Sequence, residues 1–308
     1  MNQRRLDVRG GAMKRSGAAK FPNSVQLFKF CQKVLVTQRG SKVHDQEVGS
    51  ILGFNPSDCS HWKRGEKNVR SVFALAKLAE ALSVETTLIH DVASGQVGLD
   101  EAFYEWTESN NIKKTVSSVT EDGSADLVSI RKRVESFTAA ILEQVEFTTP
   151  PLYVPEVLRF FAFASTQPTD MMDKLSRILR IKPGQYCIQF RKGDLRPQTR
   201  MSMVKDLARI IFEGERKRFP ELGASDKVAL AYEEMVFTAS LLAPKQMLLQ
   251  EMVKLDSRKN VISELAALFW VPKSLVCFQM QDILRSGERT VVRANGPTTE
   301  VRGAEVAS

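Results

Sequence analysis

Apolar residues in the first third of the chain recur at spacings of three and four. "SVQLFKFCQKVLVTQ" sets Val25, Leu27, Phe28, Cys31, Val34 and Leu35 on one broad face, which predicts an amphipathic helix. "DQEVGSILG" predicts a short helix closing on Gly53, a natural C-terminal cap. "NPSDCSHWKRG" opens with Asn55 in the N-cap position and Pro56 at the first helical position, and stops at Gly65. "VRSVFALAKLAEALSV" and "VETTLIHDVASG" predict two more helices. Five short helices thus fill residues 23–106.

The pattern then changes. Residues 107–127, "TESNNIKKTVSSVTEDGSADL", are polar and rich in Ser, Thr and Asn, and are expected to be a linker. Beyond it lie an expected helix at 128–146, a Pro-Pro turn with another helix in "FTTPPLYVPEVLRFFAFA", and one strand in the alternating "GQYCIQFR". Helices follow at 199–217, 225–241, 246–254, 258–270 and 273–286. Residues 1–22 lack periodicity and read as a disordered basic arm. The tail, 287–308, is expected to be loose with at most one strand. Phe160, Phe161, Phe163, Phe269 and Trp270 are candidates for a partner face, with core burial as the competing role.

Composition narrows the class. The chain has 308 residues, 43% of them hydrophobic and 26% charged, enough for packed cores in more than one domain. No apolar run reaches the roughly 18–20 residues that span a bilayer, so no membrane partner is expected. The basic N-terminus lacks the apolar segment of a secretory signal. Cys31, Cys59, Cys187 and Cys277 form no CxxC pair, and a reduced cytoplasmic location is expected. Residues 1–78 hold fifteen Lys/Arg against five Asp/Glu, a net +10 within a chain total of +8. A basic N-terminal part on a near-neutral remainder points to nucleic acid as a partner.

The N-terminal residues resemble the XRE family of lambda-repressor-like helix-turn-helix regulators over about 70 positions, in "VHDQEVGSILGFNPSDCSHWKRGEKNVRSVFALAKLAEALSVETTLI". Gly49 stands at the small-residue position where the second and third helices cross. Gly53 is the turn glycine. "WKRG" ends the third helix, and "LAKLAEALSV" matches the fourth. The resemblance implies double-stranded DNA as partner, residues 56–64 as the recognition helix, and a homodimer on a palindromic operator. Cys59 and Trp62 read as core, leaving Ser57, Asp58, Ser60 and His61 facing outward after Asn55. Asp58 could accept from a cytosine amine or serve in a capping arrangement with Asn55. His61 could touch DNA or be a solvated surface histidine. Lys63, Arg64, Lys67 and Arg70 suit phosphates. Gln46 is a further phosphate candidate, although the family more often has its Gln where this chain has Asp45.

The remainder, roughly 129–286, resembles the ImmA/IrrE-type metallopeptidase domain. The strand "YCIQF", Arg200 followed by "MSMVKDLARII", "YEEMVFTASLLAP" and the closing "VISELAALFWVPKSLVCFQMQDIL" carry the likeness. The resemblance implies a mainly α protein with an N-terminal five-helix helix-turn-helix domain (23–106) and a C-terminal α+β zincin-like domain (128–286). The family's HExxH ligands fall on Lys205 and Arg209, its general base on Asp206 and its third ligand on Glu233. Lysine and arginine donate hydrogen bonds and repel a cation, so they cannot ligate zinc. His44, His61 and His90 are the only histidines, and residues 91–308 contain none. The expectation is a degenerate site with no metal, no cofactor and no catalytic residues. Lys205–Glu233 or Arg209–Glu233 could replace the metal as an ion-paired bridge. The competing reading makes Lys205, Asp206 and Arg209 a solvated face opposite Met203, Val204, Leu207 and Ile211, with Asp206 and Arg209 as an i,i+3 pair.

Together these point to a non-enzymatic, sequence-specific transcriptional regulator, a repressor of a phage or mobile element. Its second domain would dimerise or would sense a small ligand or a regulatory protein. One alternative is an antitoxin-like protein that binds a toxin and its own operator. Another is an active metallopeptidase, which the missing histidines disfavour.

Overall fold

The computed structural model describes residues 19–122, 126–170, 174–194, 196–223, 226–256 and 258–286. Of the expected basic arm, 1–22, only residues 19–22 are described, and Pro22 already begins the first helix; the rest of the arm and the expected strand in the tail lie outside the described residues. The chain is mainly helical, with one three-stranded sheet.

The first five helices are α1 (Pro22–Arg39), α2 (Asp45–Ser50), α3 (Pro56–Arg64), α4 (Val72–Leu82) and α5 (Thr86–Ser94). Their starts and stops follow local chemistry. Asn55 accepts from the Asp58 N–H and Ser71 from the Ala74 N–H, each satisfying an orphan donor of a first turn. Gly65 ends α3 in the left-handed conformation that glycine adopts without strain. Leu27, Phe28, Val34, Val48, Trp62, Leu78 and Ile89 share one buried core. Trp62 packs edge-on against Phe28, with centroids 5.0 Å apart, and its indole N–H donates to the Ser24 carbonyl at 2.9 Å.

The expected linker is helical for most of its length: α6 runs Leu99–Asp122 without a break. Its polar residues hide a stripe that faces two cores. Ala102 and Trp106 belong to the N-terminal core, while Ile112 belongs to the second, with Val116 packed against it. Ser, Thr and Asn residues on the outer face dilute that stripe below what a composition reading detects.

The second core continues through α7 (Leu127–Gln144), α8 (Val154–Phe160), α9 (Pro197–Arg209), α10 (Lys227–Leu242), α11 (Lys245–Met252), α12 (Val261–Phe269) and α13 (Lys273–Ser286). A π-helical turn, Ile210–Gly214, prolongs α9. The expected strand is present as β3 (Gln185–Arg191), and two unanticipated strands flank it: β1 (Ala164–Thr169) and β2 (Ser176–Lys182). The order is β1-β3-β2, with β1 parallel and β2 antiparallel to β3. β1 (ASTQPT) and β2 (SRILRIK) lack the alternating pattern that made β3 legible, because neither buries one clean face. Phe161, Phe163 and Phe269 are buried, while Phe160 and Trp270 stay partly exposed.

Among the described residues no single helix is long and apolar enough to cross a membrane. α12 and α13 reach that measure only together, bent by 115° between them.

Candidate nucleic-acid interface and the charged face of the ninth helix

α2 and α3 meet at Gly49. A Cβ added there would sit 2.8 Å from both the Cβ and the Sγ of Cys59, so only glycine permits this approach. Gly53, at φ +73°, makes the turn between the two helices. Gln46 reinforces that turn, its amide donating to the Phe54 carbonyl at 2.9 Å. The Gln46 side chain is therefore already engaged with its own backbone. After α3, the Ser24 hydroxyl holds the chain: it donates to the Lys67 carbonyl and accepts from the Val69 N–H, both at 3.0 Å.

Cys59 and Trp62 are buried and Ser57 is exposed, with Asp58, Ser60 and His61 intermediate. The cations that follow are neutralised locally. Lys63 pairs with Asp45, Arg64 reaches Glu66 at 3.0 Å, and Lys67 reaches Asp58 at 2.7 Å while lying 4.1 Å over the Phe54 ring. His61 also pairs with Glu66. Hydrogen bonds from Arg64 and then His61 hold the Glu66 carboxyl below its usual range. Of Asp58's two expected roles, the backbone half is present, since its N–H caps onto Asn55 at 2.8 Å. Its carboxylate belongs to Lys67. Arg70 is exposed and makes no ion pair among the described residues. Sequence reasoning missed Glu66 and Asp45 as counterions, although Glu66 lies two residues from Arg64.

In the second part, α9 carries Arg200, Lys205, Asp206 and Arg209. Arg200 donates to three carbonyls, of Phe269 at 3.1 Å and of Trp270 and Leu152, tying α9 to the end of α12. Burial draws its pKa down to about 10. In place of the expected Lys205–Glu233 or Arg209–Glu233 bridge, three separate arrangements are present. Lys205 pairs with Glu108 on α6. Arg209 lies 3.6 Å from Asp206 and 3.7 Å from Glu234. Glu233, fully buried, accepts from Arg133 at 3.1 Å and from the Gly223 N–H at 2.9 Å. The partners thus come from four elements: α6 supplies Glu108, α7 supplies Arg133, α9 itself supplies Asp206 and α10 supplies Glu234.

Asp206 is buried, which corrects the solvated-face reading at that residue, while Arg209 is exposed and the expected i,i+3 pair with Asp206 is present. Its carboxylate accepts from the Ser176 hydroxyl at 2.6 Å, and Ser176 lies 2.6 Å from the Ser202 hydroxyl. Burial raises Asp206 above the usual range, and the Ser176 bond opposes this. Burial also pushes Glu234 up to about 7, with Arg209 opposing. Ser202 was legible in principle, one helical turn before Asp206. Glu108, Arg133 and Ser176 come from distant elements and carried no local signal. Among the described residues no three His, Cys, Asp or Glu side chains gather as metal ligands would.

The two parts are fastened at α13. Lys273 reaches Asp91 of α5 at 2.6 Å, and the Ser274 N–H donates to Glu105 of α6. Burial pushes Glu105 up to about 7, with the Ser274 N–H opposing.

No family model, curated protein or solved structure matches the chain.

Proposed function

We propose that the protein is a sequence-specific DNA-binding transcriptional regulator, a repressor of a phage or mobile element. One observation carries the reading: a short, Asn55-capped helix packs through Cys59 against Gly49, keeps Ser57 exposed, bears Lys63 and Arg64 in its last turn, and is followed by Lys67 and Arg70. A helix pair crossing this closely can present one helix to a major groove while its backbone-facing cations take phosphates. Asp45, Asp58 and Glu66 hold three of those cations in place when no DNA is bound, and phosphates would compete for them.

In this reading the second part is a zincin-like domain that works without metal. Lys205 and Arg209 supply no zinc ligand, and their charges are spent on Glu108, Asp206 and Glu234. Its role is to dimerise the regulator or to respond to a ligand or partner. α6 and the Asp91–Lys273 pair give it a direct mechanical link to the DNA-binding part.

Replacing Ser57 and His61 together should change which duplex sequence is preferred. Replacing Lys63 and Lys67 should weaken binding to all sequences and make the dependence on salt shallower. If both pairs of replacements leave DNA binding unchanged, the assignment of α3 as recognition helix fails.

A further inference from the structure

The two edges of the sheet are treated differently. β1 carries Pro168 next to its C-terminal end, and proline has no N–H to offer an added strand there. β2 has no proline. Among the described residues its only strand partner is β3. Ile178, Leu179 and Ile181 are 36%, 46% and 58% exposed, an unusual density of open apolar surface for one strand. The same strand carries Arg177, Arg180 and Lys182 and no acid. Beside its first half lies an open groove of about 620 Å³ whose lining includes Tyr104, Lys174, Ile178, the Asp206–Arg209 pair and Arg177, whose Nε donates to Gln189 at 2.8 Å.

We propose that β2 is a docking edge for an extended acidic–apolar peptide segment of a partner protein, which would add a fourth strand. An unpaired strand edge offers main-chain hydrogen bonds for affinity, and alternate side chains give specificity. Here the specificity is chemical. The apolar residues Ile178, Leu179 and Ile181 match apolar side chains, and Arg177, Arg180 and Lys182 match carboxylates. A second copy is the poorer occupant. Pairing β2 with itself gathers three cations from each copy onto one ribbon with no acid among them. The inference does not rest on the DNA-binding reading.

The test uses the full chain and a fluorescein-labelled peptide containing Glu-Val-Glu-Val-Val-Glu, which in antiparallel pairing sets glutamates opposite Lys182, Arg180 and Arg177 and valines opposite Ile181, Leu179 and Ile178, with a peptide carrying lysine at the glutamate positions as control. The acidic peptide is expected to bind and to slow hydrogen exchange of amides in residues 176–182. The exposed pair Arg180→Glu and Lys182→Glu should weaken it by roughly tenfold and make the basic peptide the better ligand. The proposal is overturned if neither peptide binds, if both bind alike, or if protection appears elsewhere. It is also overturned if β2 amides are already protected without peptide in a way that rises with protein concentration or vanishes on removing residues 287–308. Those outcomes would make a second copy or the chain's own tail the occupant.

Discussion

Replacing Gly49 with alanine probes the helix crossing on which the DNA-binding reading depends. The new methyl would start 2.8 Å from the Cβ and Sγ of Cys59, well inside the roughly 3.5–4.0 Å of ordinary carbon contact. α2 and α3 must part by up to about an ångström, and such overpacking costs about 1–3 kcal/mol. Alanine returns about 0.5–1 kcal/mol by stiffening the unfolded chain relative to glycine in a helix. The net expectation is a loss of roughly 0–2.5 kcal/mol. Cys59→Gly removes both clashing atoms, so the paired variant Gly49→Ala/Cys59→Gly should recover the steric part. A double-mutant cycle isolates that part, because the helix-propensity costs of each change cancel within it. Urea unfolding followed by circular dichroism supplies the four stabilities. A coupling of about 1–3 kcal/mol in favour of the pair is expected. If the two changes add to within about 0.5 kcal/mol, the helices do not touch through these residues and the reasoning is wrong.

Two further outcomes follow from the second part. Glu233→Ala leaves the buried Gly223 N–H without its acceptor and Arg133 without its counterion, and should cost about 1–3 kcal/mol in urea unfolding, while Glu233→Gln, which keeps an acceptor, should cost less. Glu105 and Glu234 both have folded-state pKa values raised to about 7 by burial, so the folded protein holds protons that the unfolded chain releases. Their contribution to stability should therefore fall as pH climbs from about 4.5 to about 7, and unfolding of the Glu105→Gln/Glu234→Gln protein across that range should show a flatter profile.

Much of the N-terminal part was legible in the sequence because its signals are local. Asn55 with Pro56 starts α3, Gly65 stops it, and Cys59 and Trp62, three apart, mark the buried face. β3 was legible for the same reason, as an alternating strand. Two kinds of feature escaped. Residues 107–122 of α6 look like a linker in the sequence, since the apolar stripe serves two cores and is too sparse to register against Ser, Thr and Asn. The pairing of charges escaped because it is not local: Lys205 finds Glu108, ninety-seven residues away, and Glu233 finds Arg133, one hundred away. Asp206 read as a surface acid from helical spacing alone, but Ser176, brought in by β2, buries it. The strands β1 and β2 escaped because neither buries one clean face against the core.

Selection of bound duplexes from a random pool, with the full-length protein, tests the central claim most directly. Enrichment of paired half-sites related by two-fold symmetry, centred about 10–10.5 base pairs or a multiple apart, is expected, with a shifted preference for the Ser57/His61 variant. A pool that emerges without any enriched sequence would contradict the assignment of this protein as a sequence-specific DNA-binding regulator.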